Sequence, residues 1–160
     1  MVQELLVAWL NDARAIEKAQ LVRLRQLIED FDDFAEIRSE LRQHVTEVEE
    51  ALEDLEEAVR GLGGKVVESV FTEPASPNQA GTGPFHDELV KDLLALHASE
   101  HYGHIMYLAL AECATHLGED EIADMSERAA EEKRVMAEWT EEQLPTVITS
   151  CLHAATEDEE

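Results

Sequence analysis

Apolar residues recur along this chain at alternating steps of three and four, the spacing that places side chains on one face of an α-helix. Four stretches do so. The first, residues 2 to about 30, has an inward register of Leu6, Leu10, Ala13, Glu17, Leu21, Leu24, Ile28 and Phe31, widened by Trp9, Ile16 and Leu27. The second, from about 34 to 62 behind Asp32 or Asp33 as a cap, reads Ile37, Leu41, His44, Val48, Ala51, Leu55, Ala58 and Leu62. The third, from near Asp87 to Gly118, reads Val90, Leu94, His97, His101, His104, Leu108, Ala111 and Thr115. The fourth, capped by Glu119 and Asp120 and extending to about Leu144, reads Ile122, Met125, Ala129, Glu132, Met136 and Trp139. Pro145 then ends this helix or opens a short one, and Thr156 to Glu160 read as a solvated tail.

The expected architecture is all-α: a four-helix bundle over residues 1–145 and a C-terminal tail over 146–160. Gly and Pro crowd into residues 61–84, and Gly61-Leu62-Gly63-Gly64 stops the second helix. Residues 65–86 then form a connection far longer than neighbouring antiparallel helices need. About 20 extended residues reach roughly 66 Å, more than the roughly 42 Å length of a 28-residue helix. The segment can therefore cross the bundle end to end, and Val66, Val67, Val70 and Phe71 predict that its first half packs.

Several predicted seam positions are polar. Glu17, Glu47, Glu100 and Glu132 each fall near the midpoint of a predicted helix, so they meet in one layer whichever way each helix points. His44 lies three residues before Glu47, and His97 three before Glu100, each pair sharing a helix face. His101 and His104 continue the third seam. A lone inward histidine is ordinarily a hydrogen-bonded core residue, and a lone glutamate pairs with a neighbour. Four carboxylates in one layer are costly to bury, and one or two divalent cations would offset that cost. Two lone glutamates plus two Glu/His pairs are also the donor inventory of di-iron and di-manganese carboxylate bundles.

Charge narrows the partners. The 160 residues carry 37 acids against 12 bases, a formal charge of -25, which opposes binding to nucleic acid or anionic lipid. The Lys-poor acidity also fits a high-salt cytoplasm. The N-terminus lacks the basic and apolar regions of a signal peptide, and no apolar run has transmembrane length, so a cytoplasmic protein is expected. Cys113 and Cys151 lack CxxC spacing and read as free thiols.

Three segments resemble the YciF-like branch of the ferritin-like bundles: Trp9-Leu10-Asn11-Asp12-Ala13-Arg14-Ala15-Ile16-Glu17-Lys18, then Leu41-Arg42-Gln43-His44-Val45-Thr46-Glu47, then Glu100-His101-Tyr102 followed by Tyr107 and Leu117-Gly118. Glu131-Glu132-Lys133 and Met136-Ala137-Glu138-Trp139 are similar as well. The resemblance implies a ferritin-like bundle with a two-metal centre in a stress-associated protein. It departs where Gly103 replaces an acid and Ala51 a histidine, which removes two donors.

The leading expectation is a ferritin-like metal-binding protein holding iron, or else manganese or zinc, and carrying out iron and oxygen chemistry. Its ligands would be Glu17, His44, Glu47, His97, Glu100, His101, His104 and Glu132. The alternative is a metal-free bundle acting as a structural or association protein, and a homodimer is expected in either case. A third reading is a structural zinc site of His97, His101, His104 and Glu100, which needs a group from another helix to close a tetrahedron.

Overall fold

A computed structural model describes residues 2–69 and 88–159. It contains four helices, α1 (Val2–Asp30), α2 (Ala35–Gly61), α3 (Glu88–His116) and α4 (Asp120–Glu157), and no strand among the described residues. α1 packs on α2 and α3, and α4 on α3 and α2, which leaves α1/α4 and α2/α3 as the diagonals.

Two apolar clusters fill the ends of the bundle and fix the helix directions. One joins Leu6 and Leu10 of α1, Leu55 and Val59 of α2, Tyr107 and Leu110 of α3, and Ile122 and Met125 of α4. The other joins Leu24 and Phe31, Ile37 and Leu41, Leu93 and Leu96, and Met136 and Val147. The start of α1, the ends of α2 and α3 and the start of α4 thus share one end, so each adjacent pair is antiparallel. Because α2 finishes at the end opposite to where α3 begins, the chain between them traverses the whole bundle.

The first residues of that crossover dock on α1. The buried Asn11 donates to the carbonyls of Val7 and Lys65 and accepts from the Val67 amide. Ser69 donates to Asp12, while Glu68 takes Arg14 and Lys18. Val66 packs against the first cluster, whereas Val67 is exposed. Residues 70–87, including Val70, Phe71, the remainder of the crossover and the expected start of α3 at Asp87, lie outside the described residues.

Gly63 and Gly118 end α2 and α3 in the left-handed region, at φ 76° and 72°, which an L side chain rarely adopts. Neither Asp32 nor Asp33 caps α2. Its N-cap is Phe34, without a side-chain bond, whose ring stands edge-on to Phe31 at 5.7 Å, so apolar packing sets the corner. At α4 the N-cap is Glu119, whose side chain makes no capping bond and instead accepts from Gln3. α4 also does not stop at Pro145: it runs through to Glu157, so residues 146–157 are helix rather than tail. Proline removes one N–H and costs about 3 kcal/mol in a helix interior; burial of Val147 in the second cluster offsets part of this.

Candidate functional site

Between the two apolar clusters lies a layer of polar side chains. α1 contributes Glu17 and Gln20, α2 His44, α3 Ser99 and Glu100, and α4 Lys133, all buried. Glu47 of α2 reaches the same layer from a half-buried position. Lys133 has the central place. Its ammonium lies 2.6 Å from Glu17 Oε1 and 4.0 Å from Glu100 Oε2. Glu17 Oε2 accepts from the Tyr107 hydroxyl at 3.1 Å. Glu100 Oε1 accepts from Gln20 Nε2 at 2.6 Å and pairs with His44 Nε2 at 2.8 Å. His44 Nδ1 pairs with Glu47 Oε2 at 2.9 Å, and Ser99 donates to the Gln20 carbonyl oxygen at 2.7 Å.

Cations offset most of the charge in this layer. Burial alone would lower the His44 pKa, but the charge and hydrogen bond of Glu100, helped by Glu47, raise it from 6.5 to about 9, so the ring is a cation at neutral pH. Burial would likewise discharge Lys133, yet Glu17 and Glu100 hold its pKa above the ordinary value. Burial opposes ionisation of Glu100 too, and Lys133, His44 and Gln20 overcome it and hold its pKa down. Two cations, Lys133 and His44, thus stand among three carboxylates, Glu17, Glu47 and Glu100. Burial, with the Glu17 charge next, pushes the Tyr107 phenol well above its usual range, so it acts as a neutral donor.

Of the eight residues expected as ligands, the structure brings Glu17, His44, Glu47 and Glu100 together. Glu132 is only partly buried and lies beside the layer, lining a narrow crevice with Glu17, His44, Glu47 and Lys133. Burial and the neighbouring Glu47 charge raise its pKa. The expected α4 seam is therefore corrected by one residue at this level: Lys133, not Glu132, points inward. Both positions satisfy the spacing from Ala129, one at i+3 and the other at i+4.

The α3 seam is corrected as well. Its inward residues are Leu93, Leu96, Glu100, Gly103, Tyr107, Leu110 and Ala114. His97, His101 and His104 do not enter the layer. His97 and His104 are half-buried struts whose Nδ1 atoms lie 3.0 and 2.8 Å from the carbonyls of Ala137 and Ala130 on α4, seven residues apart on both helices. His101 is exposed.

Sequence reasoning missed Lys133, Gln20 and Tyr107 as members of the site. One signal was available. A Cβ at Gly103 would stand 3.1 Å from Lys133 Cδ, and Ala51 lines the same crevice as Lys133. The two small residues at which the sequence is expected to depart from the YciF-like pattern thus border the lysine.

A family model described as "Domain of unknown function (DUF892)" matches residues 1–152. The fold is similar to that in a crystal structure of a protein from Xanthomonas campestris pv. campestris, with a TM-score of 0.83 at 24% sequence identity over 98% of this chain and 99% of that one. At that identity the likeness is one of fold. No described helix is long and apolar enough to cross a membrane.

Proposed function

The chain belongs to the DUF892 family, which is of ferritin-like type, and from that premise we propose a metal-independent bundle that works by association with a second copy of itself. The observation that carries this reading is the Lys133 ammonium at the centre of the polar layer, 2.6 Å from Glu17. The residues of this layer do not fit a dinuclear metal centre. The lysine pairs directly with Glu17 and lies 4.0 Å from Glu100 Oε2, which has no hydrogen-bond partner, while Glu100 Oε1 and both His44 nitrogens are engaged. Gly103 leaves space for the lysine stem where a side chain would press on it.

Association is supported by the outer face of α3. Leu94, Ala98, Ile105 and Leu108 lie along one face of α3 and are all exposed. This is a second seam of the kind that packs helix on helix. Trp9 and Leu5 of α1 are further exposed apolar residues, and Trp9 shares a groove with Ile105 and Met106. On a chain of charge -25, a copy of itself meets least repulsion along such an uncharged strip. Sedimentation analysis tests this: the native chain sediments as a dimer and Ile105→Glu as a monomer of unchanged helicity. A native chain that stays monomeric at every concentration would overturn the reading.

A second reading, an iron-binding ferritin-like protein, is favoured by one observation: Glu17, His44, Glu47 and Glu100 do share a layer. It requires Lys133 to leave that layer.

A further inference from the structure

Away from the central layer, His97 and His101 of α3 and Glu141 of α4 each direct one donor atom into a common region, with those atoms all within 4.8 Å of one another. We propose that these three residues bind a single first-row divalent cation of the borderline class, such as Zn²⁺ or Co²⁺, at the outer seam of α3 and α4. The inference goes beyond the proposed function and does not rest on it.

Three features carry it. Histidines four residues apart occupy one face of a helix, an arrangement suited to chelating one ion. Here the two ring centroids are 4.5 Å apart. The orientation of His97 is fixed from behind. Its Nδ1 lies 2.7 Å from Thr140 Oγ1 and 3.0 Å from the Ala137 carbonyl, and the Thr140 hydroxyl itself donates to that carbonyl at 2.6 Å. Nδ1 therefore carries the proton, and the Nε2 lone pair faces outward, 3.6 Å from Glu141 Oε1. Metal-binding histidines are commonly held in this way through their second nitrogen. Finally, the third ligand comes from a different helix and the remaining positions face solvent, so water can complete the shell.

Bond lengths of about 2.0–2.1 Å place tetrahedral donors roughly 3.4 Å apart. Closing from 4.8 Å needs only rotamer changes of His101 and Glu141, both exposed. His104 is not part of the set, since it lies outside the cluster. Two imidazoles and one carboxylate favour zinc, cobalt, nickel or copper over calcium or magnesium, which prefer all-oxygen shells.

The test is a Co²⁺ titration of the full chain at pH 7.5, read by visible d–d absorption and by the histidine ring NMR signals, followed by displacement with Zn²⁺. One Co²⁺ per chain is expected, with at least roughly tenfold weaker binding in both His101→Ala and Glu141→Gln. Thr140→Val weakens it by about 10–100-fold through His97 alone, with helicity unchanged. His104→Ala and Ile105→Glu bind as the native chain does, because all three ligands belong to one chain and neither residue is among them. Affinity that is unchanged in His101→Ala and Glu141→Gln, or lost in Ile105→Glu, would overturn the assignment, as would the lack of any d–d band at millimolar Co²⁺.

Discussion

Replacing Lys133 by Met keeps an unbranched stem of similar volume beside Gly103 and removes only the ammonium. Glu17 and Glu100 are left almost fully buried, at 1% and 0% exposure, with His44 as the one remaining cation in the layer. Removing one partner of a buried ion pair costs about 3–5 kcal/mol, because the other charge stays desolvated without compensation. Against a total stability of about 5–15 kcal/mol, the loss is large. For a domain of this size it lowers Tm by roughly 6–20 °C. Thermal and urea unfolding followed by circular dichroism at pH 7 measure it. Adding Glu17→Gln removes the stranded charge, so the double variant recovers at least half of the loss, a coupling that a packing defect would not produce. The gap between native and Lys133→Met also narrows at acid pH, as Glu100, whose pKa Lys133 helps to hold down in the native chain, protonates. A single variant within about 1 kcal/mol of the native chain would refute the claim that the ammonium compensates the buried Glu17 charge.

Three further outcomes follow from the same geometry. Gly103→Val places a branched side chain against the pinned Lys133 stem, 3.1 Å from a Cβ, and costs about 2–3 kcal/mol, measured as a fall in the urea midpoint. The folded pKa of His44, about 9, lies above its ordinary 6.5. Its contribution of about 3 kcal/mol is therefore complete below pH 6.5 and lost as the pH rises through 9, and His44→Gln flattens the stability profile over that window. Burial first, then the neighbouring Asp30 and Glu88, raise the Asp92 carboxyl from 3.8 to about 7. The folded state holds that proton more tightly, so stability declines as the pH rises from about 4 to 7. Because Asp92 is only half-buried, screening reduces the effect, and Asp92→Asn stabilises the protein by about 1–2 kcal/mol at pH 8 but not at pH 4.

The helices and the crossover were legible because their signals are local: periodicity marks the elements, and Gly-Leu-Gly-Gly marks the end of α2. In α1 and α2 the predicted seams place Glu17 and His44 correctly, since each helix buries one stripe and turns a charged face to solvent. α3 defeats the same reasoning. It carries an inner stripe through Leu93, Leu96, Tyr107 and Leu110 and an outer one through Leu94, Ile105 and Leu108, so periodicity alone cannot choose its phase. The three histidines fall between these stripes or on the outer one. In α4 the ambiguity is a single step, Glu132 or Lys133 after Ala129, and only tertiary packing decides it. Two buried carboxylates and the half-buried Glu47 make an inward cation the more stable choice, but that argument needs the layer to be assembled first. Glu141 could not have been joined to His97 and His101 from sequence, because its register depends on α4 continuing through this level on the corrected phase.

The most direct test of the central claim is the metal content of the Glu141→Gln chain, in which the outer cation site is weakened. The protein is purified without chelator or affinity metal, analysed for bound elements, loaded aerobically with Fe(II) and analysed again. With Lys133 held at the centre of the layer against Glu17, no stoichiometric iron is retained after either step. About two irons per chain, kept by Glu141→Gln and lost when Glu17→Gln is added, would contradict the account and restore the polar layer as a metal centre.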